Sequence, residues 1–181
     1  MSSAAEVLEV QGGHAMRARF EALLTEHGPG LRRVARAYAA RTDETEDLLQ
    51  EIALALWRAL PAFRGECSDR TFVFRVAHNR GITFVERGGR VARGRDEVEL
   101  DTLEIPGAVT AEEHLADARR RAALWEAIRQ LAPGTRAVLT LALEGLAHAE
   151  IAEVLGVSTG AVAVRLSRGR DELRRALGGA S

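Results

Sequence analysis

The chain has no lysine: every one of its 25 basic residues is arginine. That bias matches a GC-rich coding sequence, and arginine also suits contacts with nucleic acid. There is one cysteine, Cys67, which excludes an internal disulfide and fits a reducing compartment. No stretch approaches the roughly 20 apolar residues of a membrane span, so stable membrane insertion is not expected. The opening MSSAAEVLEVQGG lacks the basic start and apolar core of a signal peptide, and a cytoplasmic protein is expected. His14, His27, His78, His114 and His148 are scattered, and none pairs with another His or Cys at metal-ligand spacing. Phosphate-binding glycine loops, nucleophile motifs and paired catalytic carboxylates are also missing. The expectation is therefore no metal, no cofactor and no enzyme.

What remains is ordinary in bulk and uneven in detail. A length of 181 residues supports one large domain or two small ones, and 46% hydrophobic with 28% charged residues argues against wholesale disorder. The formal net charge is only −1, but the charge is segregated. Residues 70–95 carry a net +6, residues 96–113 a net −7 and residues 158–175 a net +3. Such asymmetry is more informative than the sum.

The hydrophobic period is helical nearly throughout. Met16, Phe20, Leu23 and Leu24 mark a first helix over residues 15–27, which Gly28-Pro29-Gly30 is expected to stop. Residues 31–41 form a second. Asp43 with Glu46 resembles a capping box opening a third, which ends at Pro61. After a loop over residues 62–67, Ser68 caps a long helix reaching about Arg87, and Gly88-Gly89 breaks it. Residues 90–109 hold no helical period and are long for a loop inside one compact domain. Thr110 with Glu113 opens another helix running to about Leu131, and Pro133-Gly134 leads into residues 135–144. The fold expected is all-α: a flexible tail (1–14), a helical domain (15–89), a flexible acidic linker (90–109) and a second helical domain (110–181).

Residues 145–175, GLAHAEIAEVLGVSTGAVAVRLSRGRDELRR, read as two short helices around a tight turn. Ile151, Ala152 and Leu155 make an apolar stripe, and Gly156 ends that helix because glycine accepts the left-handed conformation a sharp exit needs. Ser158 caps the next helix, where Val162, Leu166 and Leu173 share a face. This is the pattern of a helix-turn-helix; a plain helical hairpin with a solvated face is the other reading. Arg165, Arg168, Arg170, Arg174 and Arg175 suit phosphates and guanine edges.

In the N-terminal half, DLLQEIALALWR at residues 47–58 precedes AFRGE at 62–66 and RTFVFRVAHNRGITFVERGGR at 70–90. With the helix-turn-helix behind them, these blocks closely resemble extracytoplasmic-function sigma factors of bacterial RNA polymerase, over about residues 15–177. The resemblance implies two domains, regions 2 and 4, that bind core RNA polymerase and promoter DNA, and often an anti-sigma factor. It makes Asp47, Gln50, Glu51 and Leu54 the polymerase contacts, beside a core face of Leu48, Leu49, Ile52, Leu56 and Leu60. The family often has a bulky apolar residue where Ala53 stands.

The resemblance also assigns the minus-ten strand. Arg64, Gly65, Glu66, Cys67 and Ser68 form the loop that holds a flipped base, with Asn79 near its pocket; Arg80, where the family commonly has an aliphatic residue, is a further candidate contact to the minus-ten strand. Phe63 and Phe74 lie among arginines, an arrangement suited to stacking on unpaired bases, whereas Phe72 is expected in the core. For the minus-35 element, the helical period turns Gly160, Val164, Ser167 and Arg168 outward, with Thr159, Ala163 and Arg165 beside them. The family often has a basic residue at Ala163 and a small polar one at Val164, so specificity is expected to rest on Arg168. In similar sigma factors the linker threads the active-site cleft, where Asp96, Glu97, Glu99, Asp101 and Glu104 would mimic nucleic acid or serve only as a spacer. A conventional helix-turn-helix regulator, dimeric on a two-fold site, is the competing function.

Overall fold

Seven α-helices and one 3-10 turn account for the regular structure in a computed structural model that describes residues 3–88 and 111–178, with side chains over 13–87 and 116–178. In order they are α1 (Ser3–Tyr38), α2 (Thr42–Ala59), the 3-10 turn Leu60–Ala62, α3 (Asp69–Gly88), α4 (Ala111–Gln130), α5 (Pro133–Leu143), α6 (His148–Leu155) and α7 (Thr159–Gly178). No strand occurs among the described residues. The expected linker with its five acids lies outside them, as do Thr110 and the side chain of Glu113.

The N-terminal half differs from expectation in one large respect. A single helix, α1, replaces the expected tail, the helix over 15–27, the stop at Gly28-Pro29-Gly30 and the helix over 31–41. Residues 3–11 are rich in Ala, Glu, Leu and Gln, good helix formers, which favours continuation toward the N-terminus. Pro29 sits inside α1 on its exposed side and removes one backbone donor. Burial carries the helix past it: Leu23, His27, Leu31 and Val34 all face inward. Gly30 is explained by space, since a Cβ there would come within 2.9 Å of Phe74 Cζ and 2.7 Å of Glu144 Oε2.

The start of α2 is also shifted. The Glu44 carboxylate accepts hydrogen bonds from the backbone N–H groups of Ala40 and Arg41 (3.1 and 3.3 Å), the task expected of Glu46. Glu46 instead pairs with Arg32 across to α1. Leu48, Ile52 and Leu56 then seal α2 against its neighbours, and Ser68 Oγ caps α3 by accepting from the Thr71 N–H at 3.0 Å.

Helices α1, α2 and α3 pack mutually as one unit, and α4 to α7 form a second. In the second, α5 presents Val138, Leu139 and Leu141 to the core; Gly156 turns the chain at φ 64° and Ser158 Oγ accepts from the Ala161 N–H at 3.2 Å to start α7. Ile151, Val162 and Leu166 are buried between α6 and α7. The units also touch: α3 lies on α6, and α1 on α4 and α5, within one continuous apolar core.

Candidate nucleic-acid and polymerase interfaces

The spacing 47, 50, 54 places Asp47, Gln50 and Leu54 on one exposed side of α2, opposite the buried Leu48, Ile52 and Leu56. Leu54 keeps 48% of its surface in solvent, an apolar side chain on the same side of the helix as the polar Asp47 and Gln50. Glu51 is only half-exposed, because Arg80 and Arg87 of α3 lie 3.6 and 3.5 Å from its carboxylate. Next to Gln50 and Ala53, a groove of about 710 Å³ runs between α1, α2 and α4. Leu24, Leu49 and Trp125 line it and Arg32 and Arg121 flank it, a feature that needs residues from both units and has no local signature.

The loop after the 3-10 turn is held by its own residues. Gly65 takes φ 82°, and the Glu66 carboxylate accepts from the Arg64 N–H at 3.1 Å. Arg64, Gly65 and Glu66 are exposed, Cys67 is half-buried, and burial pushes the Cys67 thiol above its ordinary range, away from a reactive thiolate. The Ser68 hydroxyl is committed to Thr71, bonding both its N–H and its Oγ1. Phe63 is half-buried: its ring stacks on buried Phe72 at 4.2 Å, and the Arg19 guanidinium sits 5.3 Å from its centroid. Arg19 belongs to α1, 44 residues earlier in the chain, and the sequence gives no sign of this pairing.

Asn79 is exposed and Arg80 half-buried on α3, where they line a pocket of about 260 Å³ with Ala55, Ala59, Val76 and Thr83. Phe74 corrects the sequence reading. Only 2% of it is exposed, and its ring packs beside His27 (centroids 6.1 Å apart) and against Gly30, leaving no face for a base. It is a core residue. Arg70 and Arg75 turn toward the second unit, Arg70 to the backbone oxygen of Glu144 and Arg75 to Glu153.

On α7, Thr159, Gly160, Ala163, Val164, Ser167 and Arg168 are all exposed. Val162 and Leu166 fix that rotation by their burial, and half-buried Leu173 continues the inner face. The half-buried Arg165 guanidinium lies over the Gly134 backbone, close enough that a Cβ there would sit 3.4 Å from it. Arg174 pairs with Asp171 one turn back at 2.5 Å. An exposed helix row behind a tight glycine turn can enter a major groove, where Arg168 is the residue suited to guanine.

Both units match known families. The family model for Sigma-70 region 2 matches residues 23–91, and that for Sigma-70, region 4 matches residues 121–173. The chain belongs to the sigma-70 family. Within it, the chain is an extracytoplasmic-function sigma factor, which directs promoter-specific initiation of transcription. It is 29% identical to the RNA polymerase sigma factor CnrH of Cupriavidus metallidurans over 92% of this chain and 91% of that protein. Against the ECF RNA polymerase sigma factor SigE of Mycolicibacterium smegmatis it is 28% identical over 93% of this chain and 65% of that protein. Among solved structures, CnrH in complex with the cytosolic domain of CnrY superposes with a TM-score of 0.68 at 26% identity, covering 97% of each chain.

No helix among the described residues is long and apolar enough to cross a membrane. Those residues hold no group of three or more His, Cys, Asp and Glu that could bind a metal.

Proposed function

We propose that this sigma factor divides its work between its two units. The first, about residues 15–89, docks core RNA polymerase through Asp47, Gln50, Glu51 and Leu54. It holds the minus-ten strand with Phe63, the loop over residues 64–68, Asn79 and Arg80. The second, about residues 110–181, reads the minus-35 element through Thr159, Gly160, Ala163, Val164, Arg165, Ser167 and Arg168. It acts in the cytoplasm by binding and does no covalent chemistry.

The observation that carries this reading is the outward row of α7 on one unit together with the exposed Leu54 face of α2 on the other. A regulator that binds duplex DNA alone has no use for the second of these. The proposal extends to an anti-sigma partner, since the similar CnrH was solved with the cytosolic domain of CnrY.

Base capture on Phe63 would displace Arg19 from that ring, leaving its 2.9 Å ion pair with Asp69 as the contact a DNA phosphate would compete for. Unpairing a base costs a few kcal/mol, offset by stacking, hydrogen bonds and the polymerase contacts. The test is DNA binding with and without purified core polymerase on promoter-length duplexes. Sequence-specific, opened complexes are expected only when both proteins are present. Equally specific binding by the chain alone, as a dimer on two-fold sites, would overturn the proposal.

A further inference from the structure

We propose that Glu144 and Glu153 form an autoinhibitory latch, holding the minus-35 unit of the free chain against the arginines of the minus-ten unit. The inference rests on the functional reading above and adds regulation to it.

Among the described residues, polar contacts cross between the units at four arginines. The Glu144 side chain, only 3% exposed, takes both prongs of the Arg33 guanidinium at 2.6 Å each, and its backbone oxygen accepts from Arg70. Glu153 of α6 pairs with Arg75 of α3 at 3.1 Å. Arg136 of α5 donates to the Ala37 backbone oxygen at 3.3 Å, its guanidinium 5.5 Å from the Tyr38 ring centroid. Gly30 leaves the room in which the Glu144 carboxylate sits. The Glu144 pair raises the Arg33 pKa, chiefly through their hydrogen bonds.

Two arguments make these contacts a latch and not a permanent seam. Elements at minus ten and minus 35 lie about 25 base pairs apart, or ~85 Å at 3.4 Å per base pair, so units in direct contact cannot read both. Two of the three arginines held by the second unit, Arg70 and Arg75, also lie on the segment of highest positive charge, residues 70–95, whereas Arg33 belongs to α1. A carboxylate and a carbonyl occupy the guanidinium donors that a DNA phosphate would otherwise take. Ion pairs suit a reversible closure, because both partners regain water or phosphate on opening.

The experiment uses the full chain and two readouts: radius of gyration by small-angle X-ray scattering, and anisotropy of a labelled random-sequence single-stranded 12-mer. The variant Glu144→Gln/Glu153→Gln removes both carboxylates; Glu21→Gln/Glu126→Gln makes the same charge change away from the seam. The latch predicts a compact wild type at low salt, an expanded seam variant, and DNA binding tightened at least about fivefold over the control variant. The exchange Arg75→Glu/Glu153→Arg, which keeps that pair with reversed polarity, should remain as compact as wild type. A seam variant as compact as wild type, or a DNA gain no larger than the control's, overturns the latch. Promoter-specific transcription by the wild type with core polymerase is scored separately, and its absence would defeat the functional reading whatever the scattering shows.

Discussion

The Glu51 carboxylate on α2 lies 3.6 Å from the Arg80 guanidinium on α3 and 3.5 Å from that of Arg87. One acid thus joins the face proposed to dock polymerase to the pocket proposed to hold the minus-ten strand. A DNA phosphate entering beside Arg80 would compete with Glu51 for the same donors. The pair is partly exposed and worth at most about 1 kcal/mol, so such an exchange costs little.

This relationship decides how docking is tested. Asp47→Arg with Leu54→Ala alters exposed side chains and should shift stability by no more than about 0.5 kcal/mol while weakening core-polymerase binding severalfold or more. Glu51→Arg is a poorer probe, because it sets a third cation beside Arg80 and Arg87 and should lower the melting temperature as well. Pull-down of core polymerase alongside thermal melts separates the two. Undiminished binding by the Asp47/Leu54 variant would remove this face from the interface.

Gly81 lies mid-helix on α3, where glycine costs about 0.5–1 kcal/mol relative to alanine. Its Cβ position falls 2.6 Å from Tyr38 Cδ2, so the ring occupies the space a side chain would need. Gly81→Ala should therefore destabilise by roughly 1–3 kcal/mol in urea unfolding despite its better helix propensity. A gain in stability would mean the Tyr38 ring moves aside freely.

How far the sequence was legible follows from cases of this kind. The turn at Gly156, the caps at Ser68 and Ser158 and the inward stripe of Val162 and Leu166 depend on neighbours within a few residues, and each stands in the structure as read. Gly28-Pro29-Gly30 misled because its composition reads as a stop. Gly30 is set instead by Phe74 and Glu144, 44 and 114 positions away in the chain. Phe63 and Phe74 are equivalent as letters, and only packing with Phe72 on one hand and His27 on the other separates surface from core. The Arg33–Glu144 pair, spanning 111 positions, has no local signature at all.

The His78 imidazole is buried with Nδ1 2.6 Å from the Tyr38 hydroxyl, and burial lowers its pKa from 6.5 to about 4. The folded state therefore binds the proton less readily than the unfolded state. Its stabilising contribution is complete above about pH 6.5 and is lost as pH falls toward about 4, up to roughly 3 kcal/mol. Urea midpoints should fall between pH 7 and 5, and fall less in His78→Gln. An identical pH slope in the two proteins would show that His78 protonates without cost.

On α7, Arg168→Ala should cost roughly 1–3 kcal/mol and relax the preference at one or two base pairs, as for a lost bidentate arginine. Arg174 is already paired with Asp171, so Arg174→Ala should weaken binding evenly across sequences and flatten the salt dependence by at most about one unit. Binding of minus-35 variants by the chain with core polymerase reads both. An even loss across sequences for Arg168→Ala would place that residue on a phosphate.

The most direct measurement is run-off transcription by purified core polymerase and this chain on a library of random promoters, followed by sequencing of the transcribed templates. The account predicts defined start sites preceded by two enriched elements at fixed spacing, with only the upstream element relaxed by Arg168→Ala. Templates enriched for no element, or for a two-fold element bound equally well without polymerase, would contradict it.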